Sequence, residues 1–161
     1  MADHPTTAAK DFGWHIRLVS ALDADTWLQL RQGLWPGTTA AEHQAAIKTF
    51  LAGTAPEPLA VLIAETDQRQ VVGFAELSIR PYAEGCETQQ IAYLEGWYVL
   101  PEYRHQGVGR DLVNAAADWG RSQGCTEFAS DAEVDNTDSL RAHLALGFED
   151  VGLIRCFRKD L

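Results

Sequence analysis

Cysteine is scarce in this sequence. Cys86, Cys125 and Cys156 make an odd count with no C-x-x-C spacing, which excludes a disulfide framework and a cysteine zinc site. His4, His15, His43, His105 and His143 fall at unrelated spacings, so no metal is expected. Met1 to Gly13 lacks an apolar h-region and carries acids early. That composition excludes a signal peptide or a membrane span there, and elimination assigns the chain to the cytoplasm. Bases are outnumbered, 13 Lys and Arg against 23 Asp and Glu, for a formal charge of −10. An acidic chain repels phosphate backbones and attracts cations, which disfavours a nucleic-acid partner. Acidity also serves solubility alone, so the charge does not by itself name a cationic substrate. No repeat, linker or low-complexity stretch is present.

What is present suits one domain. The 161 residues are 46% hydrophobic and 22% charged, which is ordinary for a globular chain of that size. Residues 1–13 are small and polar and read as a flexible extension; residues 14–161 read as a single domain. His15 to Ser20 alternates as a strand does. From Asp23, apolar Trp27, Leu28, Leu30, Leu34 and Trp35 follow helical spacing until Pro36-Gly37. Thr39-x-x-Glu42 is a capping box that opens a second helix, with Ile47, Phe50 and Leu51 as its apolar stripe. Leu59 to Glu65 is nearly all apolar, a strand buried on both faces, and Gln70 to Arg80 is its antiparallel partner. After a polar loop, Ile91 to Leu100 alternates, placing Tyr93, Glu95 and Trp97 on one face and Leu94, Tyr98 and Leu100 on the other. A helix follows from Gly107 to about Gln123, then a short strand over Cys125 to Ser130. Asp135 or Asn136 caps a further helix ended by Gly147. Phe148 to Lys159 reads as a last strand or hairpin. This order predicts an α/β (α+β) fold, a mixed central sheet with helices on both faces.

The most informative segment is Arg104-His105-Gln106-Gly107-Val108-Gly109-Arg110, between a strand and a helix. Its glycines allow a tight turn and a close backbone approach. The helix behind it presents free N–H groups and a positive dipole end, and the arginines add charge. Together they form an anion cradle suited to a pyrophosphate. The dinucleotide fingerprint is not met, since Leu112 stands three residues after Gly109, and no Lys-Ser/Thr completes a P-loop. The R-x-x-G-x-G form resembles the acetyl-CoA signature of the GNAT superfamily of N-acetyltransferases. Asn136-x-x-Ser139, with His143 and Gly147-Phe148, resembles a second GNAT segment. By that resemblance Asn136 would bond the pantetheine arm where two strands splay; by its own chemistry it is a helix N-cap.

Leu34-Trp35-Pro36-Gly37, Gly73 to Arg80, Gly85-Cys86, Leu94-Glu95-Gly96, Ala129-Ser130-Asp131 and Leu146 to Glu149 resemble the aminoglycoside 6′-N-acetyltransferases, over about Ile16 to Lys159. The resemblance implies acetyl-CoA as co-substrate and a polycationic aminoglycoside as acceptor, with antibiotic resistance as the outcome. It places Trp35, Tyr82, Glu95 and Asp131 at the acceptor, and the amides of Trp97, Tyr98 and Val99 at the acetyl group and pantetheine. His105 to Arg110, with Arg104, would meet the pyrophosphate. It also implies a homodimer whose partner completes the acceptor site.

The residues themselves carry a consistent chemistry. An ammonium has no lone pair, so a base must take its proton before the nitrogen attacks a thioester. Glu95, on a strand beside aromatic residues, is partly desolvated and suits that role; it also reads as a solvated strand residue. Gly96 permits a bulge that frees an N–H for the developing oxyanion. Asp131, just past the next strand, would open on the same side, or else hold a loop. Trp35 before Pro-Gly reads as core without the resemblance, and Tyr82 as loop surface. No cysteine lies beside a His–acid pair, so direct transfer in a ternary complex is expected, without an acyl-enzyme. His143 stands where many GNAT members carry the Tyr thought to protonate the leaving thiolate; either His143 or solvent does so here. The loop after Pro81 is one residue short, and the acid common near Gly152 is missing. The same fold also serves acetyltransferases for polyamines or protein N-termini, and non-catalytic acyl-CoA sensors.

Overall fold

In the computed structural model, which describes residues 13–161, five strands lie side by side in sequence order. The flexible extension expected over residues 1–13 lies, apart from Gly13, outside the described residues. Strands β1 (Trp14–Leu18), β2 (Ala60–Thr66), β3 (Val71–Arg80) and β4 (Ile91–Val99) are antiparallel neighbours. Strand β5 (Glu127–Ser130) runs parallel to β4. Helices α1 (Ala24–Leu34) and α2 (Ala40–Leu51) link β1 to β2, α3 (Val108–Ser122) links β4 to β5, and α4 (Thr137–Ala145) follows β5.

The mixed sheet separates two cores, as its patterning predicts. On one face Leu62, Ala75, Leu77 and Leu94 pack with Val108, Leu112 and Ala116 of α3. On the other, Val61, Ile63 and Phe74 pack with Trp27 and Leu30 of α1 and Ile47 of α2. Each fully buried aliphatic side chain contributes about 1.5–3 kcal/mol. Every residue of β2 is buried, consistent with its continuous apolar run. The Thr39 capping box forms, with the Thr39 hydroxyl accepting from the Glu42 amide.

Three expectations are corrected. On α2 the buried residues are His43 and Ile47, while Phe50 is half-buried and Leu51 is exposed. His43 turns inward because both its ring nitrogens find partners there, at Arg31 and the Trp35 carbonyl. On β4 the alternation breaks: Glu76 pairs with Gly96 and Leu77 with Leu94, leaving Glu95 without a β3 partner. This bulge keeps Tyr93 and Glu95 on one face but moves Trp97 to the α3 face with Leu94, and Tyr98 to the α1 face. Finally, residues 148–159 form no strand. A strand needs an edge to take its N–H and C=O groups, and no strand among the described residues pairs with the segment.

Candidate active site

Strand β4 pairs with β5 only from Ile91↔Glu127 to Leu94↔Ser130. Beyond that point β4 continues to Val99 while β5 ends, so the two strands part at the Glu95 bulge. The candidate residues gather around this divergence.

On the α1 face lies an acidic cluster. Arg80 reaches Glu95 with two parallel bonds, Nε to Oε1 at 2.9 Å and Nη2 to Oε2 at 2.5 Å. The Ser78 hydroxyl donates to the same Oε1. The Arg80 guanidinium covers the Tyr93 ring at 3.5 Å, and the Tyr93 hydroxyl donates to Asp131 Oδ2 at 2.9 Å. Burial, reinforced by the bond to Asp131, pushes the Tyr93 phenol well above its ordinary range, so it remains a donor. Glu95 and Asp131 thus belong to one network, with Glu95 keeping 19% of its side chain exposed.

An aromatic wall adjoins it. The Trp35 ring packs so tightly on Gly96 that a Cβ there would lie 2.5 Å from its ring. Trp35 is held from behind: the Arg31 guanidinium stacks on it at 4.8 Å. Arg31 also pairs with Glu76 and donates to His43 Nδ1 at 3.2 Å. Since Arg31 can only donate, His43 carries its proton on Nε2 and donates to the Trp35 carbonyl at 3.2 Å. Burial pushes the Glu76 carboxyl up, against the Arg31 charge and the bond from Trp27. Tyr82 is 68% exposed on the following loop, apart from this packing.

On the α3 face the loop from Arg104 to Arg110 turns at left-handed residues. Gly107 has φ of +104°, and His105 is also left-handed at +60°. Any Cβ at Gly109 would lie 2.8 Å from the Trp97 ring. Arg104 Nε donates to the Val99 carbonyl at 2.9 Å, fastening the loop to β4. The Val108 and Val99 side chains are buried in the core, which leaves only their backbones for ligand contact. Arg110 folds toward Gly107 and bonds Asp111, which also accepts from Trp14 Nε1 at 3.0 Å. Gln106 bonds the Glu102 carbonyl. Trp97 Nε1 is buried without a hydrogen-bond partner among the described residues. An orphan donor beside a glycine-lined helix N-terminus fits a pyrophosphate-bearing ligand with a polar arm.

Asn136 caps α4, its Oδ1 accepting from the Ser139 amide at 3.0 Å. His143 Nδ1 donates to the Ser139 carbonyl at 2.7 Å, and its Nε2 accepts from Ser130 Oγ at 2.9 Å. The His143 ring also packs edge-on to Trp97 at 5.6 Å. The sequence reading missed Arg80, Ser78, Ser130 and the Arg31–Glu76–His43 group. Their partners are 12 to 45 positions apart in the chain, so no local motif marks them.

Residues 25–148 match the model of the acetyltransferase (GNAT) family. An aminoglycoside N(6′)-acetyltransferase type 1 of Klebsiella aerogenes is 53% identical over 146 residues, covering 91% of this chain and 96% of that one. Its counterpart in Salmonella typhimurium is 39% identical, covering 89% and 97%. Among solved structures, the aminoglycoside N-acetyltransferase AAC(6′)-Iy in complex with CoA superimposes with a TM-score of 0.85 at 38% identity, covering 93% and 97%. AAC(6′)-Iy with the bisubstrate analogue CoA-S-monomethyl-acetylneamine gives 0.84 at 38% identity, covering 92% and 99%. Fold, loop and near full-length likeness agree: the chain belongs to the GNAT acetyltransferase family and, within it, to the aminoglycoside N(6′)-acetyltransferases.

Proposed function

We propose that the chain transfers the acetyl group of acetyl-CoA to the 6′-amine of aminoglycoside antibiotics, by direct transfer in a ternary complex, and thereby confers resistance. The observation that carries this reading is that Arg80 and Tyr93 join the Glu95 and Asp131 carboxylates in one network where β4 and β5 part, across the sheet from a glycine-rich helix N-terminus. A cationic acceptor fits the first feature and a pyrophosphate the second. The bisubstrate complex of AAC(6′)-Iy, in which CoA and an aminoglycoside fragment are joined, supports simultaneous occupancy.

Bound acetyl-CoA supplies an activated thioester. The backbone of residues 105–110 and the Arg104 and Arg110 guanidinium groups hold its pyrophosphate, Trp97 to Val99 align its pantetheine arm, and Asn136 donates through its side-chain amide. Glu95 takes the proton from the acceptor ammonium, directly or through water, and Asp131 holds a second ammonium. Trp35 and Tyr82 pack on the sugar rings. A backbone N–H released by the Glu95 bulge faces the developing oxyanion. His143 or solvent returns a proton to the departing thiolate.

We also infer a homodimer. Val151, Leu153, Ile154 and Phe157 are 57–88% exposed on a segment that pairs with no strand among the described residues. A second copy would cover them.

The test is CoA-thiol release from acetyl-CoA with kanamycin, tobramycin, spermidine or a short peptide as acceptor, with product mapping. Turnover with the aminoglycosides and acetyl on the 6′-nitrogen is expected. Turnover confined to spermidine or peptide would move the enzyme to another GNAT branch; binding of acetyl-CoA without turnover would make it a sensor.

A further inference from the structure

We propose that Arg80 is a specificity-determining residue whose guanidinium competes with the acceptor's ammonium for Glu95, so that reaction at Glu95 requires an acceptor carrying a second cation. This rests on the acceptor-site reading above. The pair is two-pronged, with Arg80 Nε and Nη2 on the two oxygens of one carboxylate at 2.9 and 2.5 Å, and Ser78 on the same Oε1. Such a fork is matched in geometry as well as charge, and a single ammonium cannot reproduce it. Stacking on Tyr93 at 3.5 Å adds a cation–π contact to the same placement. Yet the pair stands at the opening, with Arg80 36% and Glu95 19% exposed, where another cation can reach it. The end of β3 does not depend on the pair, because Arg80 is already in register with Ile91 in the backbone ladder.

The charge count gives the selectivity. Arg80 is one cation in a cluster of two carboxylates, bonded to Glu95 and linked to Asp131 through the Tyr93 ring and hydroxyl, so the cluster keeps a net negative charge with Arg80 in place. A monoamine can satisfy that remainder at Asp131 without reaching Glu95. A polyamine anchored at Asp131 brings its other ammonium to Glu95 at high effective concentration and displaces the guanidinium. Arg80 therefore rejects single amines more than polycations.

The test compares wild type with Arg80→Gln, using kanamycin and 6-amino-6-deoxyglucose, a sugar with one primary amine. The expected result is that the kanamycin-to-monoamine ratio of kcat/KM falls about tenfold or more in Arg80→Gln, mainly by a gain with the monoamine. An unchanged ratio, or equal losses with both acceptors, would overturn the proposal. Arg80→Lys, which keeps the charge but loses the fork, should give an intermediate ratio, and it carries the test if Arg80→Gln fails to fold. In CoA-loaded wild type, the Arg80 Nε–H nuclear magnetic resonance should shift on kanamycin saturation; an unmoved signal would contradict displacement. Glu95→Gln separates the two levels. Full activity in that variant sinks the site reading and this proposal together. Loss of activity there, with selectivity unchanged in Arg80→Gln, sinks this proposal alone.

Discussion

At Glu95 one carboxylate accepts from Ser78 and from both prongs of Arg80, while the Asp131 carboxylate accepts from the Tyr93 hydroxyl and the residue stays exposed. The two acids therefore suit different tasks, proton transfer and charge anchoring. Asp131→Asn should raise the KM for kanamycin about tenfold to a hundredfold while leaving the KM for acetyl-CoA unmoved. Equal changes in both would show that Asp131 only holds its loop. A third carboxylate serves stability. Asp23 is buried at 6% exposure and takes two bonds from Arg17, both at 2.9 Å. Chiefly through those bonds, its pKa falls from 3.8 to about 2. The folded value lies below the unfolded one, so its contribution is complete above about pH 4 and is lost as pH falls through about 2. Asp23→Asn should cost about 2 kcal/mol at neutral pH in urea melts, with the deficit closing toward pH 2. A deficit that persists unchanged at pH 2 would assign the loss to packing instead.

Among the elements, the glycines of the loop from Arg104 to Arg110 set what the backbone can do. Gly107→Ala forces a Cβ into a left-handed position at φ of +104°. The strain, of order 1–3 kcal/mol, should raise the KM for acetyl-CoA about tenfold and spare that for the acceptor. If the acceptor KM rises instead, the loop serves the other side of the sheet. This loop was legible in the sequence because its residues are contiguous and each glycine has a local reason. The capping box at Thr39 and the buried β2 were legible for the same reason. The faces of β4 were not, beyond Gly96. Period-two reasoning assumes an unbroken ladder, and one unpaired residue at Glu95 reverses the side taken by Trp97. The Arg80–Glu95 and Arg31–Glu76 pairs were invisible as well, since they depend on the register of β3 and on how α1 crosses the sheet. The segment after Gly147 is rich in apolar residues, Phe148, Val151, Leu153, Ile154 and Phe157, but composition cannot say whether a sheet edge is available to it.

For the whole molecule, charge and exposed apolar surface give separate predictions. A chain of formal charge −10 attracts polycations through its long-range field. The KM for kanamycin should rise several-fold between about 20 mM and 500 mM salt, more steeply than that for acetyl-CoA. A flat response would confine the attraction to contacts within the cleft. The exposed apolar side chains of residues 151–157 predict a dimer of twice 17.7 kDa by sedimentation equilibrium, and a shift toward monomer in Phe157→Asp. A wild-type monomer at micromolar concentration would contradict the homodimer.

The proposed reaction turns on deprotonation of the acceptor by the carboxylate at the β4 bulge. It is tested most directly by the pH profile of kcat/KM for kanamycin in wild type and Glu95→Gln, with acetyl-CoA affinity measured alongside. A loss of about a hundredfold or more in Glu95→Gln at neutral pH is expected, narrowing as rising pH frees the amine without help, with unchanged acetyl-CoA binding. Coincident profiles for the two proteins would contradict it.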